Sequence, residues 1–148
     1  MHVSLTLLMQ EIDFIHRYVP GAGESRRVLL LLHGTGGDES SLLPLGRELD
    51  PGAAVLSPRG KISENGSARF FRRLAEGVFD EADVIQRANE LADFVGQAGE
   101  RYHFSARQVI AVGYSNGANI AVAMMLLRPE VFPAAILFRA MVVLSKQL

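Results

Sequence analysis

Four short apolar runs recur along the chain and leave few architectures open to it. They are Val28–Leu32, Ala54–Leu56, Val109–Val112 and Ala134–Phe138. Unbroken rather than alternating apolar residues are typical of strands that are covered on both faces, as in a parallel sheet. We therefore predict a mainly parallel sheet with strands at these four positions.

Segments with helical periodicity separate the apolar runs. The clearest spans Asp80–Tyr102, with Asp80 as the N-cap, and Ser41–Leu49 is a shorter candidate. Asn116–Arg128 is apolar on nearly all sides and is followed by Pro129, as expected of a buried helix. Strands and helices in alternation predict a three-layer α/β/α sandwich with right-handed crossovers, in which ligands bind beyond the carboxyl ends of the strands.

Three further segments carry weaker signals. Val3–Met9 and the region around Phe14–Val19 are predicted as opening strands. Residues 57–79 contain several turn-forming residues and are expected to form a long functional loop. The run from Pro133 to Leu144, interrupted by Arg139, is predicted to be a buried strand with its continuation.

Composition sets the class of molecule. The chain has 148 residues, of which 49% are hydrophobic and 21% are charged, with a net charge of -1. We expect one globular domain over residues 1–148, a cytoplasmic location and a small-molecule partner, and neither nucleic-acid binding nor a membrane span. The chain has no cysteine, and its histidines lack the spacing of metal ligands, so no metal site is predicted.

The motif Gly-x-Ser-x-Gly occurs at Gly113, Ser115 and Gly117. The pattern alone is common, but here a predicted strand ends at Gly113 and a predicted helix starts at Asn116. This context is that of a nucleophile elbow, a sharp and strained turn between strand and helix that exposes the serine hydroxyl. We predict that Ser115 is a nucleophile rather than a solvated turn residue.

A glycine-rich segment follows the first predicted parallel strand. The stretch "LLLLHGTGGDES" places Gly34 and Thr35 directly after that strand. Acyl transfer needs two backbone N–H donors for the oxyanion, one from the residue after the nucleophile and one from such a loop, and Asn116 and Thr35 fit these positions. A nucleotide-binding loop at Gly34 to Gly37 is a weaker alternative, because its glycine pattern breaks at Glu39.

His33 lies at the same strand end and could be considered a catalytic base. We expect a structural role instead, in fixing the proposed oxyanion loop. A third unusual stretch, "ARFFRR", contains Arg69, Phe70 and Phe71 next to a turn. It is interpreted either as a solvated basic face anchored by two phenylalanines or as a wall of the pocket.

Taken together, the stretches "LLLLHGTGGDE", "SPRG...ENG..RFFRRLAEGVFDE" and "VGYSNGANIA" resemble the serine carboxylesterase and phospholipase-like branch of the α/β-hydrolase superfamily. The resemblance runs from about Val28 to Leu137. It implies an α/β-hydrolase core, hydrolysis of carboxylic esters through an acyl-enzyme on Ser115, an oxyanion hole from the N–H groups of Thr35 and Asn116, and no cofactor.

The chain departs from the family pattern after the nucleophile. Family members place a catalytic Asp and then a His there, yet the 33 residues after Ser115 contain neither. This indicates a partial domain that is truncated at its C-terminus and lacks its last strands. We therefore expect low activity and association into a homo-oligomer, and we keep open a catalytically incomplete chain with a binding role or none.

Overall fold

The structure is a computed structural model that describes residues 13–144. The predicted strand Val3–Met9 lies outside the described residues. The strands are β1 His16–Val19, β2 Val28–Leu32, β3 Ala54–Pro58, β4 Ile62–Glu64, β5 Ser67–Arg69, β6 Arg73–Ala75, β7 Val78–Phe79, β8 Val109–Tyr114 and β9 Ala134–Phe138. The helices are α1 Leu43–Leu49, α2 Glu81–Tyr102 and α3 Asn116–Leu127, with a short 3₁₀ helix at Ala106–Gln108.

The central sheet has five strands in the order β1-β3-β2-β8-β9. Strands β2, β3, β8 and β9 are parallel, and β1 is antiparallel to β3. The carboxyl ends of the parallel strands lie together at one end of the sheet, where Leu32 pairs with Gly113 and Tyr114 pairs with Phe138. The segments that follow β2 and β8 therefore lie side by side at this end. The mainly parallel sheet between helices is confirmed.

The two faces of the sheet are covered unequally. On one face, α2 and α3 pack on side chains that alternate along the strands, such as Leu30, Leu56 and Ala111, to form the larger core. On the other face, the seven-residue α1 packs on β2 and β3, around Leu31 and Val55. Burial of apolar surface on the first face is thus the main source of stability for the described residues.

The helices follow the predicted pattern with small differences at their ends. Helix α2 has Asp80 as its N-cap, whose side chain accepts a hydrogen bond from the Asp83 amide, as predicted. Helix α1 begins at Leu43 rather than Ser41, because residues 38–42 form turns in which Asp38 and Ser41 hydrogen-bond each other. Helix α3 begins at Asn116, as expected.

Two expectations are wrong. Residues 57–79 do not form an irregular loop but two short hairpins, β4-β5 and β6-β7. The first turns at Asn65 and Gly66, which both have positive φ and so favour a tight two-residue turn. Strand β9 is not buried: it lies at the edge of the sheet formed by the described residues, and Ile136 and Phe138 are 40% and 39% exposed because no helix among these residues covers this end of the second face.

Candidate functional site

Ser115 sits in a strained turn between β8 and α3. Its backbone has φ 52° and ψ -111°, a conformation that non-glycine residues seldom adopt. The turn is tight because both flanking glycines touch backbone. A Cβ atom on Gly113 would lie 2.7 Å from the Ala118 Cα, and one on Gly117 would lie 2.0 Å from the Leu32 carbonyl oxygen. The local geometry is that of a nucleophile elbow.

The glycine-rich segment after β2 lies against this elbow. A Cβ atom on Gly34 would lie 2.9 Å from the Tyr114 ring, so the glycine allows the two segments to approach closely. The segment closes with a turn in which Gly37 donates to the Gly34 carbonyl at 3.0 Å. Thr35, at the tip, is exposed.

The backbone amides of Thr35 and Asn116 are free donors. Within residues 13–144, neither N–H makes a hydrogen bond. For Asn116 this follows from its position at the first residue of α3, where helix amides have no intrahelical partner. Free amides from two adjoining segments beside a serine are what stabilisation of an oxyanion requires.

His33 holds the Thr35 segment to the residues that lead into the first hairpin. Its side chain is 1% exposed. Nε2 accepts a hydrogen bond from the Gly60 amide at 3.0 Å, so Nδ1 carries the proton and donates to the Gly34 carbonyl at 2.7 Å. Burial lowers the pKa of His33, which keeps the ring neutral. Both ring nitrogens are thereby occupied away from Ser115.

Arg69 reaches the Thr35 segment from β5. Its side chain is 3% exposed, so it is not part of a solvated basic face. Nη1 donates to the Thr35 hydroxyl at 2.5 Å, and Nε donates to the Phe71 carbonyl at 3.0 Å. Burial is the main cause that lowers the pKa of Arg69, and the charge of Arg73 acts in the same direction.

Phe70 ties the same hairpin to the elbow. Its backbone N–H donates to Oδ1 of Asn116 at 2.7 Å, and its ring packs 4.6 Å from that of His33. Phe70 and Phe71 are buried in the larger core. Sequence reasoning placed Asn116 at the site for its backbone only, and its side-chain contact was not predicted. The other amide atom, Nδ2 of Asn116, is buried and has no partner among the described residues.

No activating partner reaches Ser115 among the described residues. The Ser115 hydroxyl makes no hydrogen bond to a side chain within residues 13–144. The same part of the chain contains no cluster of potential metal ligands and no helix that is long and apolar enough to cross a membrane. Among the described residues, the candidate site thus consists of a serine at a strained turn and two free amides.

A mainly parallel sheet, a serine at a strained turn between strand and helix, and an adjoining glycine-rich segment are together features of the α/β-hydrolase fold.

Comparisons with known proteins agree with this class. The chain is 52% identical over 126 residues to MhqD of Bacillus subtilis (strain 168), which is named as a hydrolase; the match covers 85% of this chain and 63% of MhqD. Among solved structures, the Bacillus cereus carboxylesterase has 48% identity and a TM-score of 0.86, covering 88% of this chain and 62% of the other. The Mesorhizobium loti carboxylesterase has 34% identity and a TM-score of 0.87, covering 93% and 66%.

The chain therefore spans a little under two thirds of the length of these relatives. No family model matches the sequence. The structural neighbours are carboxylesterases and esterases, and the resemblance to the α/β-hydrolases is confirmed.

Proposed function

We propose that the chain carries the nucleophile and oxyanion hole of a serine hydrolase that acts on small carboxylic esters. In the first step Ser115 Oγ bonds to the ester carbonyl carbon and its proton passes to a base. The bond from that carbon to the alcohol oxygen then breaks, and the base returns the proton to this oxygen so that the neutral alcohol departs. Water then cleaves the acyl-serine and releases the acid. The N–H groups of Thr35 and Asn116 stabilise the negative oxygen in both steps.

The strained backbone of Ser115 is the observation that carries this proposal. A non-glycine residue at φ 52° is costly, and such strain persists where the surrounding structure holds it for a function. Two free amides beside it and the similarity to carboxylesterases support the same reading. Because the net charge of the chain is only -1, the expected substrate is a small ester that carries no charge or charges of both signs.

The test is reaction with p-nitrophenyl acetate, an ester with a good leaving group. Because no histidine or aspartate follows Ser115, we expect slow acylation and still slower deacylation, so that acetylated protein accumulates. Intact-mass spectrometry and peptide mapping locate the acetyl group, and Ser115→Ala is the control. Equal labelling of the two proteins would point to the alternative, a chain without catalytic capacity.

A further inference from the structure

The first hairpin and the segment leading into it are fixed to the candidate site at several points. Gly60 donates to His33, Phe70 donates to the Asn116 side chain, and the Ala68 carbonyl accepts from the Gly36 amide at 3.0 Å. A Cβ atom on Gly60 would lie 2.3 Å from the Arg69 carbonyl oxygen, so this backbone is packed without space. The main chain at Arg69 is therefore held from two sides.

The side chain of Arg69 is fixed as well. Its Nε–H donates to Phe71, and its guanidinium carbon lies 5.3 Å from the centre of the Phe71 ring. Glu64 lies 3.7 Å from Nε, but its carboxylate makes closer hydrogen bonds to Arg73, at 2.7 and 2.9 Å. Glu64 is thus shared by two arginines, and Nη1 of Arg69 donates to the Thr35 hydroxyl.

We infer that Arg69 is a positioning residue: its bond to the Thr35 hydroxyl fixes the turn so that the Thr35 amide faces the oxyanion formed at Ser115. The inference rests on the proposed function. Thr35 is exposed at the tip of a glycine-rich turn, where little packing restricts it. A charged donor at 2.5 Å supplies that restriction, because bonds from an ionised donor are stronger than neutral ones.

Acylation of Ser115 by p-nitrophenyl acetate tests the inference. Arg69→Gln and Thr35→Val should each lower the rate constant for acylation by about ten- to a hundredfold. A loss of this size is expected when a hydrogen-bond donor moves away from its ideal position by a fraction of an ångström. The double variant should be no slower than either single one, because both remove the same contact. Arg69→Lys should recover part of the rate. Arg72→Gln, a matched exposed arginine outside the site, should react like the parent chain.

A second measurement does not depend on the reaction. The Gly36 amide is bonded to Ala68 next to Thr35, and its hydrogen exchange reports on the turn. Exchange should be about tenfold faster in Arg69→Gln and Thr35→Val than in the parent chain or in Arg72→Gln, measured well below the melting temperature.

The outcomes separate the two proposals. If the parent chain reacts at Ser115 and Arg69→Gln reacts equally fast, or if the two single losses add in the double variant, the positioning role is wrong and the esterase proposal stands. If the parent chain reacts no faster than Ser115→Ala, the esterase proposal fails. In that case, if the Gly36 amide exchanges no faster in Arg69→Gln than in the parent chain, Arg69 does not anchor the turn either. Faster exchange in Arg69→Gln would support the anchoring of the turn by Arg69.

Discussion

Asn116 and Phe70 lie 46 residues apart in sequence and are joined by a hydrogen bond of 2.7 Å from the Phe70 amide to the Asn116 side chain. The residue that follows the candidate nucleophile is thereby bound to the segment between the first hairpin and the second. The side chain of Asn116 thus holds this segment by a hydrogen bond, while its backbone N–H makes no hydrogen bond within residues 13–144.

Asn116→Ala should lower the free energy of unfolding by about 1–3 kcal/mol, because the buried Phe70 amide loses its partner. Urea denaturation followed by circular dichroism measures the change. Asn89→Ala is the control. The part-buried Asn89 side chain donates to the Ile85 carbonyl of its own helix and accepts a 3.4 Å hydrogen bond from Arg128, and neither contact involves a buried main-chain N–H, so its cost should be about 0.5 kcal/mol or less. Equal losses in the two variants would contradict the anchoring role.

Gly117→Ala should disrupt the elbow. The added Cβ atom would lie 2.0 Å from the Leu32 carbonyl oxygen, so helix α3 must move away from β2. We expect a loss of about 3 kcal/mol or more in stability. Gly96→Ala in α2 is the matched variant, because nothing lies within 4 Å of its Cβ position; it should gain about 0.5–1 kcal/mol. If Gly117→Ala and Gly96→Ala lower the melting temperature equally, the close contact at Gly117 is not the cause of the loss.

His33 should make stability depend on pH. Its pKa is lower in the folded chain than the usual value of about 6.5, because burial disfavours the charged ring. The unfolded chain therefore binds more protons as the pH falls, so stability is complete above about pH 6.5 and declines below it. Between about pH 7.5 and pH 5.5 we therefore expect the free energy of unfolding to fall, with a slope no steeper than about 1.4 kcal/mol per pH unit for a single group. In His33→Asn this slope should disappear, and a slope that persists would assign it to another group.

We propose that the exposed edge of the sheet causes self-association. Among the described residues, strand β9 pairs on one side only, and Ile136 and Phe138 are exposed at the end of the second face that α1 does not reach. Ile136→Lys should shift the chain toward monomer in sedimentation-velocity experiments. Leu74→Lys, an equally apolar exposed residue on the second hairpin, should not. A parent chain that remains monomeric at high concentration would rule out this role for the edge.

The sequence predicts the positions of the central strands well because each parallel strand contains an unbroken apolar run, a pattern typical of parallel sheets. The apolar runs at Val28–Leu32 and Ala134–Phe138 coincide with β2 and β9, and the N-cap at Asp80 marks the start of α2. The hairpins of residues 62–79 were missed because their strands have only two or three residues and show no periodicity. The exposure of β9 was missed because an apolar run does not tell how many of its faces are covered.

The candidate site is predictable from the sequence only in part. The elbow can be foreseen because Gly113 and Gly117 flank a serine between strand and helix. The contact of Arg69 with Thr35 cannot, because it joins residues 34 positions apart through a turn whose geometry has no sequence rule. A buried arginine is also indistinguishable from a solvated one in a run such as "RFFRR". The roles of Ser115, Thr35 and Asn116 in a reaction stay predictions.

The positive φ of Ser115 places stability and chemistry in conflict at one position, because the backbone conformation favours glycine and the proposed reaction needs a hydroxyl. Glycine adopts φ 52° without steric cost, so Ser115→Gly should be more stable than Ser115→Ala by about 1 kcal/mol. The residue that the fold itself would favour here has no hydroxyl. On the proposed function, a lineage that no longer cleaves esters is therefore expected to drift toward glycine at position 115.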